Sequence, residues 1–190
     1  SLCSRAIVLE HGKTVFEGGT EEAVDYYLKA SISDIPFKID EEILDKSIID
    51  GFKITDISIF QEAIYSGGSL TVNIKYKSTK KFIAPAFVLK VKDLNETELF
   101  RLSNMPISGY KIDGLFNEGE VEIKIKKLPL IKGNYLIDVG FTRQNIEWYF
   151  NLENVINFEV LGADVYSSGF ELDRSRGVIW VNHEWSHEIL

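Results

Sequence analysis

The side chains able to do chemistry are few, and their settings narrow the chemistry further. His183-Glu184-Trp185-Ser186-His187 fits H-E-x-x-H, where two imidazoles one helical turn apart hold zinc and the glutamate acts as base. Here the motif follows the β-like run Gly177–Trp185, no helix is signalled, and the remaining histidine is His11, far off in a hairpin. The segment reads as a polar strand end anchored by Trp185, and no metal is expected. Cys3 is the single cysteine. It has no histidine nearby in sequence to activate it, and it cannot form an internal disulfide, which fits a reducing compartment. No GxxxxGK[ST] loop occurs, and the paired glycines Gly18-Gly19 and Gly67-Gly68 sit at turns. The chain as written should neither bind nor hydrolyse ATP, and no cofactor is expected. The sequon Asn95-Glu96-Thr97 reads as a hairpin turn, and Lys77–Lys81 as a solvated loop.

A second kind of chemistry is recognition of sugars. Flat aromatic faces cover the C–H edges of a pyranose, and planar polar groups bond to pairs of hydroxyls. Arg101, Asp138, Arg143, Trp148 and Tyr149 form the candidate glycan-binding group. Of Trp148 and Tyr149, one must point into the core, and Arg101 and Asp138 could simply pair with each other. Asn104 and Tyr110 are weaker candidates at the end of the same sheet. Hydrolysis would need two carboxylates about 5–10 Å apart; only Asp138 stands out, so no enzyme is expected.

These residues must be carried by strands. From Lys53 onward the hydrophobic period is two. Leu70, Val72, Ile74 and Tyr76 alternate with polar residues, as do Val121, Ile123 and Ile125, then Tyr135, Ile137, Val139 and Phe141, and finally Ile156, Phe158 and Val160. Turn signals fall at Ser66-Gly67-Gly68, Asp93-Leu94-Asn95, Asn117-Glu118-Gly119 and Lys132-Gly133-Asn134. Short strands at this spacing without intervening helices predict an all-β, immunoglobulin-like antiparallel β-sandwich (jelly-roll-like) over residues 53–161. One sheet should hold the runs near 70–77 and 120–125. The other should hold those near 82–91, 98–104, 134–142 and 146–151. In that second sheet Ile83, Phe87, Leu89 and Val91 would point inward. Ala84, Ala86, Val88, Leu99, Arg101, Ser103, Asp138, Gly140 and Thr142 would then form a small, lightly charged outer face, a shallow groove for a neutral glycan.

The 190 residues carry a formal net charge of −8. That argues against nucleic acid and against a polybasic membrane patch. No apolar run is long enough to span a bilayer. The start lacks the regions of a signal peptide and reads as cut from something longer. Ahead of the sandwich, Ala6–Glu10 reads as a short buried strand, His11-Gly12-Lys13 as a turn and Thr14–Phe16 as a second strand. Thr20 would cap a helix starting at Glu21, with Ala23, Val24, Tyr27 and Leu28 as its apolar stripe. Such a piece is too small to fold alone. Residues 31–52 read as a linker that could hold a short helix. Residues 162–190 form a C-terminal arm whose late strand would pair with a sheet edge of its own or a neighbouring subunit.

"LCSRAIVLEHGKTVFEGGTEEAVDYYL" (Leu2–Leu28) resembles the last segment of the nucleotide-binding domain in polysaccharide-exporting ABC transporters. "SGGSLTVNIKY", "APAFVLKVKD", "EGEVEIKIKKLPLIKGNYLIDVGF" and "VINFEVLG" resemble the C-terminal domain of the Wzt-type O-antigen ATPase subunit, Leu128–Phe141 most specifically. The resemblance implies that residues 1–30 are the end of the ATPase domain. It also implies an immunoglobulin-like domain that recognises lipid-linked O-polysaccharide for export, on the cytoplasmic face of a Gram-negative inner membrane. A homodimer that exchanges the last strand is implied too, with the transporter's membrane subunit as partner and no insertion of this chain into the bilayer. The full subunit would be an ATPase. The alternative is a structural dimerisation or docking module that binds no glycan.

Overall fold

A computed structural model describes residues 3–10, 12–31, 41–143 and 146–189. Part of the expected linker and the turn residue His11 lie outside them. The element order is β1 (Ala6–Glu10), β2 (Lys13–Gly18), α1 (Thr20–Ser31), α2 (Glu41–Asp45), β3 (Phe52–Ile59), β4 (Ile64–Tyr65), β5 (Leu70–Ile83), β6 (Pro85–Asp93), β7 (Glu98–Ser103), β8 (Gly114–Ile125), β9 (Gly133–Arg143) and β10 (Glu147–Leu161), followed by a 3-10 turn at Arg174–Arg176. Hydrogen bonding orders a five-stranded sheet β4-β10-β9-β6-β7, a three-stranded sheet β3-β5-β8 and the separate hairpin β1-β2. This is the all-β, sandwich-like fold that the period of two predicts, and the strands divide between sheets as expected.

The chain forms two compact units. The larger holds residues 1–58, 74–121 and 134–158. Its core is aromatic and joins both sheets. Phe52 of β3 stacks on Phe141 of β9 with centroids 4.5 Å apart, and Phe82 of β5 meets Phe141 at 5.8 Å. Around them sit Tyr76, Phe87 and Phe150. Strand β9 is central in its sheet and buried on both faces from Asn134 to Thr142. It pairs antiparallel with β6, Phe87 opposite Phe141 and Val88 opposite Gly140. Two expectations fail here. Asn117-Glu118-Gly119 is no turn but an irregularity inside β8, with Asn117 at φ +60°. Gly119 lets the Tyr76 ring cross, since a Cβ there would stand 2.4 Å from the phenol oxygen. Ile83 is exposed rather than inward, because β5 runs on to it and the chain reverses at Ala84, φ +51°.

The hairpin and α1 also belong to the larger unit. Val8 of β1 faces Phe16 of β2, and Phe16 stacks on Tyr26 of α1 at 4.9 Å. The first helical bond is Ala23 N–H to the Gly19 carbonyl, and Glu22 reaches back to accept from Gly19 N–H. The cap is thus Gly19 with a carboxylate three residues on, one residue ahead of Thr20, whose hydroxyl donates instead to Cys3 O. The buried helix face contains Ala23, while Val24 and Tyr27 are exposed. Strand β1 is not buried either: Ile7 and Leu9 are 55% and 63% exposed. One short helix covers only one side of a two-stranded ribbon.

The smaller unit comprises residues 59–73, 122–133 and 159–190. Its core holds Ile64, Leu70, Val72, Leu128, Leu130, Ile131 and Val160, each buried. The β4 pair runs parallel to the end of β10, Val160 opposite Ile64. The arm forms a single bridge, Leu130 to Ile179, rather than the expected strand. Its anchor is Trp180, whose backbone N–H donates to Pro129 O and whose indole Nε1 donates to Leu128 O, at 2.7 and 2.8 Å. In this single chain the arm therefore pairs with its own Leu128–Ile131 segment. His183–His187 is not helical, so the imidazole spacing of a zinc-protease site is absent, and among the described residues no cluster of metal-ligating side chains forms.

Candidate functional site

The outer face of the five-stranded sheet is less open than its small residues predict. Ala86, Val88, Asp138 and Thr142 are all buried. Two features close over part of this face. The segment after β7 folds back over the sheet end, latched by Asn104: its Oδ1 accepts from Phe87 N–H at 2.7 Å, and its Nδ2 donates to Pro85 O and Tyr110 O, each at 3.1 Å. Asn104 is thus a structural clamp, while Tyr110 is exposed on the far side of it. The second cover is Trp148. Its ring lies against Gly140, where a Cβ would come within 2.6 Å of the ring edge and 3.4 Å of Val88. A glycine in mid-strand often marks such a close approach.

What remains open is a groove of about 440 Å³. Val88, Ser103 and Thr142 contribute from the strands, Met105, Pro106 and Ile107 from the latched loop, and Arg101, Arg143, Ile146, Glu147 and Trp148 from the remaining sides. Trp148 is 53% exposed and presents a face to this space. Lys90 stands 5.5 Å from the ring centroid as a cation–π partner. Its Nζ also donates to Asn151 Oδ1 at 2.9 Å, which fixes it beside the indole. Arg101 is gripped by Glu98 through two bonds, Nε to Oε1 at 2.9 Å and Nη2 to Oε2 at 2.7 Å. That bond, with the Arg101 charge, holds the Glu98 carboxyl below its ordinary range against a smaller opposing effect of burial, and the same bond raises Arg101.

The five residues expected to bind a glycan are therefore divided. Arg101, Arg143 and Trp148 share the groove. Asp138 does not face out to solvent: it is 3% exposed, paired with the buried Lys92 at 2.8 Å, and accepts Asn154 N–H at 2.8 Å. Its proposed pairing with Arg101 gives way to two separate pairs. Tyr149 is the inward member of the aromatic couple, with centroids 5.1 Å from Phe141 and 5.5 Å from Phe82. Burial, with the Glu147 charge beside it, raises its phenol. Phe150 also reaches Phe141, so strict alternation breaks at this point. Tyr149 instead lines a second cleft, of about 410 Å³, together with Ile49, Asp50, Lys80, Lys81, Phe82, Ile83 and Arg143. Sequence reasoning missed Met105–Ile107, Ile146 and Glu147. Their place depends on how loops fold back, and Gly140 was the one local signal that something bulky crosses the face.

The comparisons with known proteins bear on the frame that carries these clefts. No curated protein matches the chain. Among solved structures, the crystal structure of the C-terminal domain of Wzt superposes with a TM-score of 0.59 at 16% identity, covering 73% of this chain and 84% of that one. At that identity the likeness speaks to the fold. A β-glucuronidase of Parabacteroides merdae with glycerol in its active site covers 60% of this chain and 14% of its own, at 12% identity and a TM-score of 0.36; it carries no argument. The family model described as the Wzt C-terminal domain matches residues 48–180, most of the chain and every strand of both larger sheets. This chain belongs to the Wzt C-terminal domain family.

Proposed function

We propose that this domain binds the O-polysaccharide handled by an ABC transporter, in the groove beside Trp148. The family supports an O-antigen-related, ABC-transporter domain; the glycan reading goes further and has one main support. A half-exposed tryptophan ring is seated on Gly140, held by Lys90, and faces a groove that Arg101 and Arg143 also line. An indole face supplies contact area at little entropic cost, and guanidinium groups bond to paired hydroxyls. Among the described residues no helix is long and apolar enough to cross a membrane, so the chain would meet a lipid-linked glycan at its sugar end. The transporter's membrane subunit is the further partner under this reading.

The test is retention of the O-polysaccharide from the same bacterium, against an unrelated one, by the purified chain. Trp148→Ala and Arg101→Ala should each abolish selective retention with circular dichroism and melting unchanged. Normal binding by both folded variants would place the site elsewhere.

A second reading, a dimerisation or docking module, has its own observation. Beyond the Trp180 anchor the arm leaves Val181, Trp185 and Ile189 largely exposed, Trp185 at 90%. Exposed apolar side chains of this size suit a partner surface. Under this reading the arm would join a homodimer. Sedimentation of the full chain against one ending at Trp180 decides it: a dimer that survives the truncation removes the arm from the interface.

A further inference from the structure

The order of charges along β8 fits a partner that neither cleft requires. β8 is a terminal strand of the three-stranded sheet, bonded to β5, and among the described residues no strand lies on its other edge. The central strand β5 buries Leu70, Val72 and Ile74 completely, and β3 at the opposite edge buries Ile54 and Ile57. On β8 the matching row, Val121, Ile123 and Ile125, is only half-buried, while Glu120, Glu122 and Lys124 between them are exposed. Lys126, one step past the strand, is exposed too. The irregularity at Asn117, φ +60°, interrupts pairing toward the start of the strand. Beyond it runs an open edge of the kind that templates another strand.

We infer that the 120–126 edge of β8 pairs antiparallel with the same edge of a second copy of this chain. A two-fold contact is self-complementary, so a single register fixes every pair. With Ile123 on the axis, Val121 meets Ile125 of the second copy, Glu122 meets Lys124 and Glu120 meets Lys126. Apolar residues then face apolar ones, and each carboxylate faces an ammonium. An axis at Glu122 or at Lys124 would set like charges directly opposite each other, which destabilises a strand pair. A slip of one residue would set apolar side chains against charged ones. The charge order thus selects one register out of its neighbours, and the added strand covers the half-open row. Pairing through one strand edge is a small interface, at the weak and transient end of the scale. It rests on neither the glycan reading nor the exposed arm.

The experiment is sedimentation velocity of the full chain at rising concentration and low salt, where the chain should pass from monomer toward dimer. Glu122→Lys and Lys124→Glu should each weaken the dimer about tenfold, because two attractive cross-strand pairs become repulsive. Glu122→Lys also lowers the net negative charge, which by itself favours association, so a weakening there reports the register and not the overall charge. Both side chains are exposed, and neither change should move the melting temperature. An equal mixture of the two variants should recover the parent affinity, since the two lysines of one chain then face the two glutamates of the other. A chain ending at Trp180 should still associate, which separates this edge from the arm. The inference is overturned by a parent that stays monomeric, by single variants that associate as the parent does, by a mixture that recovers nothing, or by an association that disappears with the arm.

Discussion

At the scale of single residues, the most consequential contacts are those between glycine and tryptophan and between two buried charges. Gly140→Ala places a methyl group where the Trp148 ring now lies. Because the ring is the far end of a half-exposed side chain, it should swing aside at little cost in stability. Tryptophan fluorescence should report the change and glycan affinity should fall, while the melting temperature moves by only a few degrees. Lys92 and Asp138 behave differently, because both are almost wholly buried. Asp138→Asn would leave an ammonium group without its counter-charge and should cost about 3–5 kcal/mol in urea denaturation, whereas replacing both residues with apolar ones should cost far less. The Arg101–Glu98 pair is exposed enough that its worth stays below about 1 kcal/mol. Its sign is fixed by the lowered Glu98 carboxyl: the contribution is present above the unfolded carboxylate range and is lost as pH falls through the lower folded value. In Arg101→Gln, the Glu98 carboxyl should titrate back toward its usual range by carbon-13 NMR.

At the scale of elements, strand positions were legible and loop positions were not. The alternation of Leu70–Tyr76 and Tyr135–Phe141 marks inner faces because Leu70, Val72, Ile74, Tyr76, Tyr135, Ile137, Val139 and Phe141 are all buried. The same alternation says nothing about what lies on the outside. Asp138 has the parity of a solvent-facing residue, yet a lysine diagonally across on β6 and a backbone N–H take its carboxylate. Trp148 and Tyr149 could not be ordered from sequence, since the local break in alternation places Tyr149 and Phe150 both against Phe141. The Asn104 latch is another contact formed at a distance, 17 residues from Phe87. Asn104→Ala removes an acceptor from a partly buried N–H and should cost about 1–3 kcal/mol. Hydrogen exchange at Ile107 should quicken, and the groove should lose its loop side.

At the scale of the molecule, the family assignment and the all-β fold agree, and the clefts add what neither contains. The predicted sheet memberships hold because a period of two, once the turns are placed, leaves few ways to bury every apolar face. The terminal pieces were read less well for the same reason: they bury little. The arm needs one bridge and an indole hydrogen bond rather than a strand, and the hairpin has a cover on one side only. Ile7, Leu9, Val24 and Tyr27 therefore stay exposed on a chain of net charge −8, and like net charge opposes their association between copies. That balance depends on ionic strength, since salt shortens the reach of the repulsion without weakening apolar attraction. Light scattering should show clusters growing as sodium chloride is raised, and Ile7→Thr with Leu9→Thr should keep the solution clear.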